Sequence, residues 1–71
     1  MLKKRSFSIA GHRTSIALEP EFWAVLDEDA RARGIALAAL VARVDAVRND
    51  RALASALRLY ALEHVAAKRT A

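Results

Sequence analysis

The chain has 71 residues, of which 12 are lysine or arginine and eight are acidic, so its formal net charge is +4 and its sequence pI is near 10.4. This length allows a single domain, and a domain of this size buries only roughly 60% of the surface that its unfolded chain exposes. The lack of cysteine excludes a disulfide framework and a thiolate metal site, so we expect a partner chain to supply additional stability. The positive charge makes nucleic acid the first partner to consider.

Composition and hydropathy favour a mostly helical protein outside the membrane. Alanine occupies 17 of the 71 positions, and alanine favours helix while adding little core volume. No run approaches the roughly 20 apolar residues of a membrane span. The first residues, MLKKRSFSIAGHR, also lack the apolar stretch of roughly 7–15 residues that a signal peptide needs. We therefore expect a soluble, cytoplasmic protein with no membrane partner.

The N-terminal quarter begins with a basic end and continues as an extended segment. We expect residues 1–5 to be flexible and residues 6–18 to be extended, with an interruption at Gly11. Polar and apolar side chains alternate in the second half of this segment, which is the period of a half-buried strand. The alternation separates Arg13, Ser15 and Ala17 on one face from Thr14, Ile16 and Leu18 on the other. The sequence therefore predicts one short β-strand.

A first helix is predicted over residues 20–33. Pro20 suits the first helical position, where its missing N–H costs nothing, and Gly34 suits the position after the last turn. The i,i+4 pair Asp29–Arg33 suits the solvent face of this helix.

Two further helices are predicted over residues 36–48 and 51–66, with a break at Asn49-Asp50. Apolar residues recur at helical spacing in both segments. They are Leu37, Leu40, Val41, Val44 and Val47 in the second helix, and Leu53, Leu57 and Tyr60, followed by His64, in the third.

A single strand needs a partner, because it exposes two rows of unpaired backbone groups. One solution is an antiparallel ribbon formed with the same strand of a second copy. The other is a hairpin in which residues 6–10 fold back on residues 13–18 about Ala10-Gly11-His12, with Gly11 supplying a positive φ. The residues alone leave both solutions open.

The string GHRTSIALEPEFW, followed by RGIALAALV and ASALRLYALEH, resembles a group of small standalone bacterial proteins of the ribbon-helix-helix superfamily. The resemblance covers residues 3 to about 65. It implies a mainly α-helical, intertwined homodimer with a two-stranded antiparallel ribbon between subunits and an additional C-terminal third helix. It therefore favours pairing between copies over the hairpin.

The resemblance also implies how such a protein binds double-stranded DNA. The ribbon enters the major groove, and the N-terminus of the second helix points at a phosphate. The groove-facing positions are Arg13, Ser15 and Ala17, and the phosphate position is Ala36, Leu37 and Ala38. Lys3, Lys4 and Arg5 are expected to contact phosphates as well. The expected dimer core is Thr14, Ile16, Leu18, Phe22, Trp23, Leu26, Leu40, Val41 and Val44.

The expected chemistry agrees with these positions except at two of them. Arginine can bind guanine O6 and N7 together, serine can donate or accept a hydrogen bond, and helix N-terminal amides suit phosphate. Ala17 and Ala36 stand where many relatives have a hydroxyl residue. Ala17 offers only a methyl contact to thymine, and Ala36 leaves bare amides.

Two hypotheses follow. The first is a sequence-specific DNA-binding protein and transcriptional regulator. The second is a dimeric interaction module of the same fold that lacks specific DNA binding and binds a protein through helix 3 or the ribbon, as an antitoxin does. His12 and His64 are far apart, and we find no glycine-rich phosphate loop or catalytic constellation. We therefore expect no enzyme activity, metal site or cofactor.

Overall fold

The computed structural model describes residues 1–70, with side chains for residues 1–69. In chain order these residues form β1 (Lys3–Ile9), β2 (His12–Leu18), α1 (Pro20–Arg33), α2 (Leu37–Val47) and α3 (Leu53–Thr70). The prediction of a mainly helical chain with three helices is confirmed. The prediction of one short strand is wrong, because β1 and β2 form an antiparallel hairpin within the chain.

The hairpin closes through a two-residue turn at Ala10 and Gly11. Both residues have positive φ, 53° and 81°, as a turn matched to the twist of paired strands requires. The register runs from Ile9 opposite His12 to Lys3 opposite Leu18. The strand thus finds its partner in its own chain, and this hairpin is the arrangement that the resemblance had made the less favoured of the two.

The prediction that residues 1–5 form a flexible end is also wrong, because Lys3, Lys4 and Arg5 belong to β1. Two side chains of α1 hold this part of the strand. The indole nitrogen of Trp23 donates a hydrogen bond to the carbonyl oxygen of Lys3 at 2.8 Å. Both terminal nitrogens of Arg5 donate to the carboxylate of Asp27, at 3.0 and 3.2 Å.

Helix α1 begins and ends at residues with special backbone geometry. Pro20 occupies its first turn, and Gly34 follows its last residue with φ 70°. The amide of Gly34 donates to the carbonyl of Arg31, and the amide of Ile35 donates to the carbonyl of Ala30. These two bonds satisfy carbonyls that the end of a helix leaves free, and they turn the chain toward α2.

The hydrophobic core lies between the inner face of the hairpin and the three helices. Its buried members are Phe7, Ile9, Ile16, Leu18, Trp23, Leu26, Ala30, Leu40, Val41, Val44, Ala56, Leu57 and Ala61. Most residues expected to form a dimer core are therefore buried within a single chain. Thr14 and Phe22 are the two that remain partly exposed. Because the other seven residues of the expected dimer core are buried in one chain, their burial gives no sign that a second chain is needed.

A buried carboxylate joins α3 to α1. Asp29 is only 3% exposed, so the expectation that it lies on the solvent face is wrong, although its pair with Arg33 is present at 3.0 Å. Its other oxygen accepts a hydrogen bond from the Tyr60 hydroxyl, and His64 Nδ1 lies 3.6 Å from the carboxylate. Burial by itself would raise the pKa of Asp29, but the hydrogen bonds from Tyr60 and Arg33 lower it below its ordinary value.

Helix α3 is the longest of the described helices. Its last turn is held to α1 by an ion pair between Lys68 and Glu28 at 2.6 Å. None of the helices within residues 1–70 is long and apolar enough to cross a membrane.

Candidate nucleic-acid interface

The hairpin has one polar face that points away from the core, and we call it the outer face. Its residues are Lys4, Ser6 and Ser8 of β1 and Arg13, Ser15 and Ala17 of β2. All are exposed except Ala17, which is partly buried. Successive side chains of a strand point to opposite sides, so burial of Phe7, Ile9, Ile16 and Leu18 fixes these six residues on the solvent side.

Cross-strand pairing places the outer-face residues in three rows. Lys4 lies opposite Ala17, Ser6 lies opposite Ser15, and Ser8 lies opposite Arg13. In the central row the two serine hydroxyl oxygens are 3.0 Å apart. One hydroxyl donates to the other, so the pair keeps one hydroxyl hydrogen and several acceptor lone pairs for a ligand.

The hairpin carries an unbalanced positive charge. Residues 3–18 include four of the 12 lysines and arginines and none of the eight acidic residues. Lys4 and Arg13 are exposed, and in the part of the chain that the structure describes neither forms an ion pair. The outer face therefore presents two uncompensated cations and three hydroxyls, which suits an anionic, hydrogen-bonding ligand.

The three basic residues at the start of β1 have different surroundings. Lys4 belongs to the outer face, whereas Lys3 and Arg5 alternate to the other side. Arg5 is held there by Asp27, and its guanidinium carbon lies 4.8 Å from the centre of the Trp23 ring. Arg5 is thus engaged with α1, and among these three residues only Lys4 lies with the candidate base-reading residues.

The N-terminus of α2 offers backbone amides without a side-chain cap. Ala36 precedes the helix in an extended conformation, with φ −69° and ψ 149°, and caps no amide with its side chain. The first hydrogen bonds of the helix are donated by Ala39 and Leu40 to the carbonyl of Ala36. The amides of Leu37 and Ala38 precede these bonds, as expected for the first turn of a helix.

Sequence reasoning missed the contribution of β1 to the outer face. The resemblance favours pairing of β2 with its own copy, so it does not place Lys4, Ser6 and Ser8 on the same surface as Arg13 and Ser15. The alternation of serine with Phe7 and Ile9 was the available signal. It predicts a second strand with its polar side chains on one face.

A separate apolar surface lies between α1 and α3. A groove of about 250 Å³, which we call the α1–α3 groove, is lined by Glu21, Phe22, Val25, Ala61, Leu62 and Val65. Leu62 is 56% exposed although it is apolar.

Two ion pairs lie near the α1–α3 groove. Arg58 bonds to Glu19 at 2.9 Å and lies over the Phe22 ring, and Lys68 bonds to Glu28 at 2.6 Å. These hydrogen bonds hold the pKa of each glutamate below its ordinary value. The groove is thus lined mostly by apolar side chains, together with the carboxylate-bearing Glu21.

Within the described residues no three histidine or acidic side chains cluster closely enough to hold a metal ion. Asp29 itself is buried, and its carboxylate accepts hydrogen bonds from Arg33 and Tyr60.

An antiparallel ribbon with a basic, hydroxyl-bearing face on a helical body is an architecture of proteins that bind DNA through β-strands. A family model described as a ribbon-helix-helix domain matches residues 2–65, and the chain belongs to this family. Its members are generally DNA-binding regulators or antitoxins, typically dimeric and non-enzymatic. No curated protein and no solved structure matches the chain.

Proposed function

We propose that the protein binds double-stranded DNA sequence-specifically and regulates transcription, by inserting its hairpin into the major groove. The observation that carries this proposal is the outer face, where Arg13 and Lys4 flank a central pair of serine hydroxyls on a ribbon without acidic residues. The major groove, about 12 Å wide, admits a two-stranded ribbon.

Base recognition in this proposal rests on Arg13 and Ser15. The guanidinium of Arg13 binds guanine O6 and N7, the hydroxyl of Ser15 donates or accepts, and Ala17 contacts a thymine methyl. Phosphates are bound by Lys3 and by the amides at Ala36, Leu37 and Ala38. Arg5 is left out of this set, because it is paired with Asp27.

We further propose that the protein acts as a homodimer in which a second copy covers the α1–α3 groove. Each chain has a net charge of +4, so two copies repel each other over most of their surface. The α1–α3 groove is lined mostly by apolar side chains and by no basic residue, so a second copy can bury Leu62 there without bringing two cations together.

The experiment is selection of duplexes from a random pool, followed by titration of the selected and random duplexes at several salt concentrations. Arg13→Ala is the test variant and Arg43→Ala, which removes the same charge from α2, is the matched control. We expect the parent and the control to prefer the selected duplex and Arg13→Ala to lose that preference. A parent that binds no duplex near physiological salt would refute the proposal.

A second candidate function is an interaction module that keeps the fold and binds another protein. The exposed apolar groove favours it, and so do Ala17 and Ala36, which provide no hydroxyl for DNA. In this case the parent fails to select any duplex, while Leu62→Glu abolishes binding of the partner protein. Capture experiments with the parent and Leu62→Glu, set beside the duplex titrations, distinguish the two functions.

A further inference from the structure

We infer that the surface between α2 and α3 is a docking site for an acidic segment of another protein, which places an apolar side chain between two carboxylates. The inference does not depend on DNA recognition by the hairpin. It concerns the helical body, where two adjoining depressions share Val44, Val47 and Tyr60 among their lining residues. We call the two depressions together the α2–α3 groove.

The α2–α3 groove has apolar side chains that are open to solvent. Its two depressions have volumes of about 260 and 210 Å³. Val47 on α2 is 74% exposed, and within the described residues no other large apolar side chain of a helix or strand is as exposed. Leu59 on α3 is also exposed, whereas Leu40 and Val44, which line the groove as well, are buried. Covering Val47 and Leu59 with a partner is therefore favourable.

Arginine is the main charged residue around these apolar side chains. In the part of the chain that the structure describes, the groove is lined by one carboxylate, that of Glu63, and by the guanidinium groups of Arg33, Arg43, Arg48 and Arg51. A planar guanidinium can bind a carboxylate through two parallel hydrogen bonds, which makes arginine well suited to interfaces. The groove thus combines apolar area with groups that recognise carboxylates.

Two of these arginines have charges that are free to bind a partner. Arg33 is paired with Asp29. Arg43 and Arg51 are exposed, and among residues 1–69 neither forms an ion pair. Arg43 lines one depression, Arg51 lines the other, and Val47 lines both. A segment that covers Val47 therefore meets a free guanidinium in each depression.

The turn between α2 and α3 orders the backbone that carries Arg51. The Nε atom of Arg48 donates to the carboxylate of Asp45 at 2.6 Å, and a terminal nitrogen of Arg48 donates to the carbonyl of Arg51 at 2.7 Å. The amide of Arg51 donates in turn to the carbonyl of Arg48 at 3.1 Å. Arg48 is thus used within the turn. Because these bonds exist before a partner binds, less conformational entropy is lost on binding.

Glu63 determines on which side of the groove the partner carries its carboxylates. Glu63 lies on α3, four residues after Leu59, and lines the same depression. It repels a carboxylate placed beside α3, whereas Arg43 on α2 and Arg51 in the turn attract one. The acidic side chains of the partner are therefore expected to face α2 and the turn.

An acidic polypeptide fits this groove better than a nucleic acid or a second copy of the chain. A nucleic-acid backbone has no apolar side chain to cover Val47. A second copy brings a further net charge of +4 to a surface with two free arginines. A peptide helix with acidic residues on either side of an apolar residue complements both features, and binding of a helix in a groove is a common mode of recognition.

The probe is a library of random peptides, selected on the immobilised protein. We expect the enriched peptides to carry a large apolar residue between acidic residues. One enriched peptide is then synthesised, and its dissociation constant is measured for the parent and for variants of the groove. Its affinity should fall as the salt concentration rises, because the recognised groups are charged.

The variants test each part of the groove separately. Arg43→Ala and Arg51→Ala should each weaken peptide binding roughly tenfold, because each removes a hydrogen-bond donor to a carboxylate. Val47→Glu should abolish binding, and because Val47 is 74% exposed the fold should stay intact. Glu63→Gln should tighten binding. Arg13→Ala removes the same charge from the hairpin, so it is the matched control and should bind the peptide as the parent does.

Several outcomes would overturn the inference. They include a library that yields no enriched peptide, enriched peptides without acidic residues, and equal affinity of the peptide for the parent, Arg43→Ala and Val47→Glu. A duplex that displaces the peptide and binds Arg43→Ala more weakly than the parent would assign the groove to nucleic acid. A melting temperature that rises with concentration in the parent and not in Val47→Glu would assign it to a second copy.

The proposed function is judged by a different variant and a different ligand. Loss of duplex preference in Arg13→Ala supports DNA recognition whether or not a peptide binds the α2–α3 groove. Loss of peptide binding in Arg43→Ala supports the docking site whether or not the parent selects a duplex. Failure of the inference and failure of the proposed function are therefore distinguishable.

Discussion

The indole N–H of Trp23 on α1 donates a hydrogen bond to the backbone carbonyl of Lys3 on β1, across 2.8 Å. The Trp23 side chain is only 2% exposed, and its ring lies 5.9 Å from that of Phe7. One side chain thus fixes the first part of β1 to the helical body. It also explains why three consecutive basic residues form a strand in place of a flexible end.

Trp23→Phe should loosen this attachment, because it removes the donor to the Lys3 carbonyl and leaves space in the core. We expect the free energy of unfolding to fall by about 1–3 kcal/mol. Hydrogen exchange of the β1 amides should accelerate more than that of the α2 amides. Uniform acceleration in both elements would indicate that Trp23 supports the whole fold and has no particular effect on the hairpin.

The hairpin turn holds a non-glycine residue in a strained conformation. Ala10 has φ 53°, a region that disfavours residues with a β-carbon but tolerates asparagine. Ala10→Asn should therefore raise the free energy of unfolding, by roughly 0.5–1 kcal/mol. Denaturant unfolding measures this change, and a lower stability than the parent would mean that the turn is not the one described.

The carboxylate of Asp29 should make the docking of α3 sensitive to acid. Its pKa in the folded state is below the ordinary value, so its contribution to stability is present above pH about 4 and is lost as pH falls through the folded pKa. Asp29→Asn should cost about 1–3 kcal/mol at neutral pH, because the bonds from Tyr60 and Arg33 lose their charged acceptor.

The free energy of unfolding of Asp29→Asn and of the parent is measured from pH 7 to about pH 2. The control is Asp50→Asn, which changes an exposed acidic residue in a loop. The stability difference between Asp29→Asn and the parent should shrink below pH about 4. A constant difference over that range would show that ionisation of Asp29 does not stabilise the fold.

Association through the α1–α3 groove is tested with Leu62→Glu. Leu62 is 56% exposed in the single chain, so the change should leave the fold intact. The melting temperature of the parent should rise with protein concentration, and that of Leu62→Glu should not. Val47→Glu, at an apolar residue 74% exposed on α2, is the matched control and should behave as the parent does. Equal concentration dependence in all three proteins would place any dimer interface elsewhere.

The local signals for the helices were clear in the sequence, whereas the partner of β2 was not. Pro20 and Gly34 mark the start and end of α1 because each suits a backbone geometry that few residues adopt readily. The turn at Ala10 and Gly11 lacks the Asn-Gly or Asp-Gly pair that usually announces a two-residue hairpin. Consequently the sequence predicts a basic end and an extended segment where the structure has β1.

From the sequence, only the part of the candidate site that β2 supplies could be predicted. Alternation in β2 assigns Arg13, Ser15 and Ala17 to one face, but the register decides which residues of β1 join them. The burial of Asp29 could not be predicted from the local sequence pattern either. Its partners Tyr60 and His64 belong to α3, about thirty residues later in the chain. Both the register of the hairpin and the burial of Asp29 depend on tertiary contacts.

The central claim is that the outer face of the hairpin reads DNA bases, and Arg13 tests it most directly. The measurement is the affinity of the parent, Arg13→Ala and Arg43→Ala for a selected duplex and for random duplexes across a range of salt concentrations. Arg13→Ala should lose about 1–3 kcal/mol of preference for the selected duplex, while Arg43→Ala keeps the preference of the parent. An Arg13→Ala protein whose ratio of selected to random affinity equals that of the parent at every salt concentration would contradict the account.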